Sequence, residues 1–515
     1  MSRTESGIRE YLSGLERHRV RYGTGGIRGK EREMDYAVFV CGFVCALKSK
    51  KEGVCGMMVT ASHNPESDNG VKMVESSGVM LGREWVGVLC ECLGADDLVE
   101  CSRGAIEERY RIDMARRGVV VVGRDTRASG ERLVGRIKKA CCFLGCGVVD
   151  LGMVSTPQLH EATSNYAENL EERTGVYYEK RRESFYRLVA GCVCSPLSID
   201  CANGVGSVVF EGLQLKQDIS LHNRYEPGKG RLNVECGADY VVIERKAPAG
   251  MCLREGQRCA SVDGDADRSV YFYAKSGSFC LLSGDRMAVL FTMYLQKLLA
   301  AGGVSAGLRV VQTAYSNGAS SRFLKDTLGV SVVVAKTGVE HLHREAERAD
   351  IGVYFEANGH GTVLFSEKTR SEIGRRGDTA AQSEARDRLG CVAALMSQKV
   401  GDAVSNILLT EAILCTSVSL ENWAGLYTEL PCKQVKLPAR DRSVFCVGED
   451  EARLLRPAGL QKEIDEVVSW SRCARAFIRA SGTEDVVRLY VEAETESRVS
   501  EIAETLCEIV AGYAQ

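Results

Sequence analysis

The feature that most constrains this chain is an alternation. Short runs rich in β-branched residues are separated by longer segments of helical period, the pattern of an α/β protein with parallel sheets. Val54 to Val59, Val119 to Val122, Leu197 to Asp200, Ile219 to His222, Cys259 to Val262, Ser269 to Tyr273, Leu308 to Gln312, Ser331 to Ala335 and Ile351 to Phe355 read as strands. Gly130 to Leu144, with Leu133, Ile137 and Cys141 on one face, and Gly284 to Ala300 read as helices; another starts at Asn317, and the charged segment Ile8 to Val20 is helix-like. Near the C-terminus the pattern changes. Arg475 to Ile478 and Val486 to Glu492 read as strands joined by a short polar loop, followed by an amphipathic helix through Leu506 and Ile509, an α+β unit with an antiparallel sheet. At roughly 100 to 200 residues per domain, 515 residues make three or four domains. Boundaries near 165, 275 and 400 give three mixed α/β domains, 1–165, 166–275 and 276–400, and a C-terminal α+β domain, 401–515. The polar stretch Glu367 to Arg386 reads as an exposed excursion.

Composition removes several classes of function. With 45% hydrophobic and 26% charged residues the chain has ample material for cores, which excludes disordered and fibrous classes. The net charge of −3 lacks the basic excess of a non-specific nucleic-acid binder, so any bound anion must be met by local cations. The longest apolar stretch near the N-terminus, Tyr36 to Leu47, has 12 residues, short of the ~20 that span a bilayer. Arg3, Glu5, Arg9 and Glu10 stand where a secretory signal needs an apolar core, so a cytosolic protein is expected. The 22 cysteines show no repeated CxxC pair at zinc-finger spacing and read as reduced thiols used as small core residues.

Four polar loops carry the chemistry. Thr60-Ala61-Ser62-His63-Asn64-Pro65 follows an apolar strand, and a Ser in a turn enforced by Asn-Pro can present its hydroxyl at a sheet edge, with His63 beside it to supply charge or a proton. Taken alone, this is equally an ordinary turn, and Lys72, ten residues on, is either a site cation or a solvated lysine. Asp263-Gly264-Asp265-Ala266-Asp267-Arg268 places three carboxylates at alternate positions, which repel unless a hard cation lies between them. An EF-hand starting at Asp263 fails, because its sixth and twelfth positions are Arg268 and Ala274. Oxygen ligands with open positions suit Mg²⁺ in phosphoryl transfer, against the bland alternative of a solvated acidic turn. In Phe355-Glu356-Ala357-Asn358-Gly359-His360-Gly361, Glu356 and Asn358 can bond adjacent hydroxyls and the glycines admit a flat polar ligand such as a sugar; a capped loop with a structural His360 fits as well. Arg479-Ala480-Ser481-Gly482-Thr483-Glu484, with Arg488 on the next strand, offers two guanidiniums, two hydroxyls and a glycine turn, a cradle for one phosphate or a Ser-Gly turn with incidental arginines. The further glycine-rich segment Tyr22 to Gly29 brings Arg28; it follows a charged helix-like segment, so a dinucleotide fingerprint is not expected. Together, a serine nucleophile, a metal loop, a hydroxyl-reading loop and a phosphate cradle point to phosphoryl transfer on a phosphosugar. A site drawn from several domains can enclose its ligand and keep water from a phosphoenzyme.

In these loops the chain resembles the α-D-phosphohexomutases over nearly its whole length, and within them the branch that acts on N-acetylglucosamine phosphates. The loop Phe355 to Gly361 and the segment Val400-Gly401-Asp402-Ala403 carry the likeness to that branch. The resemblance implies a four-domain, Mg²⁺-dependent isomerase that interconverts N-acetylglucosamine 6-phosphate and 1-phosphate, through a phosphoserine and a sugar 1,6-bisphosphate, on the route to UDP-N-acetylglucosamine. A glucose or mannose phosphate mutase is the runner-up; a non-catalytic sugar-phosphate binder is a further alternative. Ser62 would be the phosphoserine, and one Mg²⁺ per chain would bind Asp263, Asp265, Asp267 and an oxygen on Ser62. Arg28, His63, Lys72 and Arg268 would line the reacting centre with positive charge. Glu356, Asn358 and His360 would bind the sugar, and Arg479, Ser481, Gly482, Thr483 and Arg488 the phosphate that is not reacting. No nucleic acid, membrane or partner chain is implied, and a monomer is expected. In Lys336-Thr337-Gly338-Val339-Glu340-His341 the relatives have Lys in place of Glu340, so no role passes to Glu340; Gly25-Gly26-Ile27-Arg28 keeps the arginine, and Ala480 stands where proline often occurs.

Overall fold

The apolar run that is too short for a membrane becomes the centre of a core. In the structure, a computed structural model that describes residues 3–23, 25–166, 174–481 and 485–513, helix Asp35–Glu52 is buried continuously from Tyr36 to Lys50. It packs on helix Gly130–Phe143 and on a six-stranded sheet in the order Tyr22–Gly23, Gly26–Lys30, Asp68–Val74, Val54–Val59, Val119–Arg124, Gly147–Met153. The last three strands run parallel and the others antiparallel, so the sheet is mixed. Among the described residues, no helix is long and apolar enough to cross a membrane. All 22 cysteines are free thiols.

Two compact units divide the chain: residues 1–282, 358–362 and 391–416 form the first, and 283–357, 363–390 and 417–515 the second. The first unit contains a second sheet, in the order Ser278–Leu282, Ser269–Lys275, Cys259–Val262, Leu197–Asp200, Ile219–His222. Here too the register is mixed, parallel on both sides of Leu197–Asp200 and antiparallel from Cys259–Val262 outwards. Helix Ala403–Thr416 returns to this unit and packs on helix Gly175–Val189 and on strand Ser269–Lys275.

In the second unit, Ser331–Ala335, Leu308–Thr313 and Ile351–Phe355 form a parallel sheet against helices Gly284–Gly302 and Val339–Ala346, and residues 363–365 continue its order. The same unit holds the antiparallel sheet Cys432–Pro438, Val486–Glu492, Arg475–Ala480, covered by helices Leu460–Val468 and Glu496–Tyr513.

Three expectations are corrected. The first two sheets are mixed, because hairpin returns such as Asp68–Val74 and Ser269–Lys275 add antiparallel strands to parallel cores. The N-terminal helix is Arg3–Ser13 and stops at Gly14; beyond Leu15, only Val20 is apolar up to Arg21, so no stripe remains to bury. The polar stretch 367–386 is exposed at most of its positions, but it is helical rather than a loop: it forms helix Glu367–Ile373 and the start of helix Ala380–Leu395, with Thr369, Ile373 and Ala385 buried. Its arginine Arg386 donates to the carbonyls of Gly302, Gly303 and Glu372, so the polarity closes chain ends.

Candidate active site

The ten-residue spacing from Ser62 to Lys72 has a structural origin. Strand Val54–Val59 ends at Thr60, the chain turns through Asn64-Pro65 and returns as Asp68–Val74, pairing Val59 with Val71 and Met58 with Lys72. Lys72 therefore comes back beside the strand end that presents Ser62. Arg28 arrives on the next strand, opposite Gly70.

The acidic loop joins the antiparallel pair Cys259–Val262 and Ser269–Lys275 and lies against the serine loop. Ser62 is fully buried, and its hydroxyl donates to Asp265 Oδ2 at 3.1 Å. At Gly264 an added Cβ would lie 2.8 Å from the Ser62 carbonyl oxygen, so this approach requires glycine. Asp263, Asp265 and Asp267 are buried, and one oxygen from each lies within 4.8 Å of the others. Lys72 Nζ donates to Oδ2 of both Asp265 and Asp267 at 2.6 Å. Asp263 Oδ2, Asp265 Oδ1 and Asp267 Oδ1 are buried without a hydrogen-bond donor. Three orphaned carboxylate oxygens on one loop fit a hard divalent cation, which would satisfy all three. Burial, then the charges of Asp267 and Asp265, push the Asp263 carboxyl well above the usual carboxylate range. Asp267 is held below it: burial acts the other way, but Lys72, His360 and Arg268 outweigh it. Lys72 keeps its proton, since the two carboxylates overcome the burial that opposes its charge.

Around this centre the cations are ordered by one carboxylate absent from the sequence reading. Asp239 accepts from His63 Nδ1 at 2.5 Å and from Arg268 Nη1 at 3.0 Å. Arg28 Nη1 lies 3.3 Å from His63 Nε2. Arg268, followed by burial, lowers the His63 pKa, whereas Asp239 stays ionised against its burial because Arg268 and His63 flank it. Thr156 was also missed. Its hydroxyl donates to Asp265 Oδ2 at 2.6 Å and its amide to the Asp265 carbonyl at 3.0 Å. Asp239 opens helix Ala238–Glu244 and Thr156 opens helix Thr156–Ser164, so both carry only helix-start signals in the sequence.

His360 and Asn358 belong to the same unit. His360 Nδ1 lies 3.4 Å from Asp267 Oδ1, and Asn358 Oδ1 accepts the His360 amide at 3.2 Å. The segment Val400-Gly401-Asp402-Ala403 passes against them: the Ala403 amide donates to the Ala266 carbonyl, and a Cβ on Gly401 would lie 2.6 Å from His360 Cδ2 and 2.9 Å from the Asp267 carbonyl oxygen. His360 is thus brought to the acidic loop.

The second unit holds Glu356, half-buried at the end of strand Ile351–Phe355, and the candidate phosphate cradle. Arg479 and Arg488 stand directly opposite on antiparallel strands Arg475–Ala480 and Val486–Glu492, a placement that like charges tolerate best with an anion between them. Glu451 accepts from Arg479 Nη1 at 3.2 Å and from both the amide and hydroxyl of Thr337, which ties the Lys336-Thr337-Gly338 loop to the cradle. Arg442 Nη1 donates to the Ser481 carbonyl at 2.8 Å. Neither Glu451 nor Arg442 had a signal in the sequence. Glu340 makes a helix-surface pair with Arg344 at 3.2 Å. Gly482 and Thr483 lie outside the described residues.

Comparison with known proteins gives consistent results. Residues 283–418 match the family described as phosphoacetylglucosamine mutase AMG1, domain III; residues 443–509 match the phosphoglucomutase/phosphomannomutase C-terminal domain; residues 43–97 and 104–174 match α/β/α domain I of that family. Phosphoacetylglucosamine mutase of Homo sapiens is 40% identical over 506 residues, covering 94% of this chain and 92% of the relative. The crystal structure of Aspergillus fumigatus N-acetylphosphoglucosamine mutase in complex with GlcNAc-6P and magnesium superposes with a TM-score of 0.93 at 36% identity, covering 100% of both chains. A variant of that enzyme in complex with glucose 1,6-bisphosphate gives 0.92 at 35% identity, also over 100% of both chains.

Proposed function

We propose that this chain, which belongs to the phosphoacetylglucosamine mutase family, interconverts N-acetylglucosamine 6-phosphate and N-acetylglucosamine 1-phosphate and so feeds UDP-N-acetylglucosamine synthesis. The observation that carries the reading is Ser62 Oγ, 3.1 Å from a loop with three orphaned carboxylate oxygens and beside Lys72. The phosphoryl group on Ser62 Oγ passes to the free hydroxyl of the sugar monophosphate, leaving the serine hydroxyl and a sugar 1,6-bisphosphate. The bisphosphate turns over, and its other phosphate returns to Ser62, so no water is consumed. A divalent cation held by Asp263, Asp265 and Asp267, with an oxygen on Ser62, would stabilise charge on the transferring phosphoryl group.

The chain's own groups do the remaining work. Lys72, Arg28 and Arg268 offset the nearly four negative charges of a bisphosphate in a chain that is slightly acidic overall, and His63, between Arg28 and Asp239, contributes to the reacting centre as a hydrogen-bonding group. Glu356, Asn358 and His360 read sugar hydroxyls, and Arg479, Ser481, Gly482, Thr483 and Arg488 grip the resting phosphate. We divide the chain into domains 1–165, 166–275, 276–400 and 401–515; four principal sheets follow one another along the sequence in support of a fourfold division, with strand Ser278–Leu282 of the second sheet and helix Ala403–Thr416 of the first compact unit falling beyond the bounds at 275 and 400. The same reading makes the enzyme a cytosolic monomer, and its free thiols support a reducing compartment.

A coupled assay of N-acetylglucosamine 6-phosphate conversion with Mg²⁺ and catalytic bisphosphate, run beside glucose 1-phosphate, tests this. The N-acetylated sugar is expected to be preferred, and Ser62→Ala to lose activity by more than about a thousandfold. A clear preference for glucose 1-phosphate would move the substrate to the runner-up, and a fully active Ser62→Ala enzyme would remove the nucleophile.

A further inference from the structure

Ser62 holds φ at +48°, the left-handed region that a non-glycine residue keeps only where its surroundings impose it. Those surroundings form a closed ring of hydrogen bonds. The Ser62 amide donates to Thr60 Oγ1 at 2.8 Å, and the Thr60 hydroxyl donates to Asp125 Oδ2 at 2.7 Å. The same oxygen accepts Arg127 Nε at 3.0 Å, and Arg127 Nη2 donates to the Ser62 carbonyl at 3.0 Å. Both peptide groups of one residue are therefore tied through one ion pair whose side chains are fully buried.

Arg127 reaches further along the loop. Nη2 also donates to the Asn64 carbonyl at 2.8 Å, and Nη1 donates to the carbonyls of Pro65 at 2.6 Å and Asp68 at 2.7 Å. Its guanidinium thus places all its N–H donors, one on Asp125 and the rest on four carbonyls of the serine loop. Asn233 Nδ2 adds donors to the Ser62 and Asn64 carbonyls at 2.7 and 3.2 Å. A planar fork suits this arrangement, whereas a lysine ammonium has three donors and cannot reach the same set. Asp125 and Arg127 lie just past strand Val119–Arg124, which runs parallel to Val54–Val59 with Arg124 paired to Val59, so the clamp rests on the sheet that presents Ser62.

We infer that Arg127, linked to Ser62 through Asp125 and Thr60, is the positioning residue that presets the serine hydroxyl for phosphoryl transfer. The inference rests on the proposed function, since it needs Ser62 to be the nucleophile. A clamp that only stabilised the fold would affect the fraction of folded protein; one that aims Ser62 changes turnover in protein that is folded and binds substrate normally.

The test uses the full chain and measures kcat and KM for N-acetylglucosamine 6-phosphate with Mg²⁺ and catalytic bisphosphate, with the folded fraction taken from circular dichroism. Thr60→Val keeps the shape and removes the hydroxyl link, Thr60→Ser restores it, and Arg127→Lys breaks the fork. Misplacing a reacting group by about 1 Å costs up to about a hundredfold, so kcat is expected to fall by ten- to a hundredfold in Thr60→Val and Arg127→Lys, with KM within about threefold and Thr60→Ser near wild type. If Arg127→Lys fails to fold, Thr60→Val decides. Folded Thr60→Val with kcat within about twofold of wild type overturns the inference, as does a rise in KM alone. Ser62→Ala is run in parallel: if it remains active, the nucleophile reading falls and this inference with it, whereas an inactive Ser62→Ala beside a wild-type Thr60→Val removes only the inference.

Discussion

Three buried carboxylates within 4.8 Å create an electrostatic problem that Lys72 answers only in part. A divalent ion answers the rest, so Mg²⁺ is expected to raise the unfolding midpoint over EDTA-treated protein, by a free energy of about 2.7 kcal/mol at a hundredfold excess over Kd. Asp263→Asn, which removes one orphaned ligand, is expected to lose most of that gain in scanning calorimetry; an undiminished gain would place the ion elsewhere. Gly401→Ala forces a methyl to 2.6 Å from His360 and is expected to cost about 1–3 kcal/mol in urea unfolding, with lower turnover as His360 and Asp267 shift. At this scale Ser62 and the three aspartates were legible because each motif is local: the residues that cooperate are neighbours in the chain, and their chemistry is unusual for a turn. Asp239, Thr156, Glu451 and Arg127 act on partners far away in sequence, and side chains of those types are common wherever a helix starts or a loop ends.

Five strands have the bounds read from the sequence: Leu197–Asp200, Cys259–Val262 and Ile351–Phe355, which are buried throughout, and Ile219–His222 and Ser331–Ala335, which are only partly buried. Helix ends and parallel-versus-antiparallel pairing were less legible, since they depend on what the element packs against. Helix Ala403–Thr416 shows the energetic consequence of such packing. It carries Glu411 against the sheet, where Arg258 Nη2 donates at 2.8 Å and Tyr271 Oη at 3.1 Å. Burial outweighs the guanidinium and pushes the Glu411 pKa up to about 7, from an ordinary 4.5. The folded state therefore holds this proton more tightly than the unfolded state. Its contribution to stability is complete below about pH 4.5 and is lost as pH rises through about 7, a change of about 3 kcal/mol. Asp285, raised by burial to about 6, acts with the same sign. Urea midpoints at about pH 5 and about pH 8 are expected to fall more steeply in wild type than in Glu411→Gln, and equal slopes would refute the assignment.

Over the whole molecule, connectivity matters more than domain count. Residues 358–362 and 391–416 complete the first unit from far along the chain: Asp402 accepts from Tyr177 and Arg181, and Asn406 donates to the Gly361 carbonyl. A fragment of residues 1–282 lacks Asp402 and Asn406, and so loses one of the two carboxylates that pair with Arg181 and the helix that covers it, while the Glu161 pair is kept. It is expected to bind ANS and lose near-UV circular dichroism while the full chain does neither; a well-ordered fragment would show that the returning segments are dispensable. The amino-acid sequence by itself determined the α/β elements, the serine and aspartate loops and the family, because hydrophobic period and short polar motifs are written in consecutive residues. Only the tertiary structure decided that the sheets are mixed, that chain returns complete a unit, and that Asp239 and Arg127 serve the site, because burial and hydrogen-bond partnership are properties of where distant residues meet.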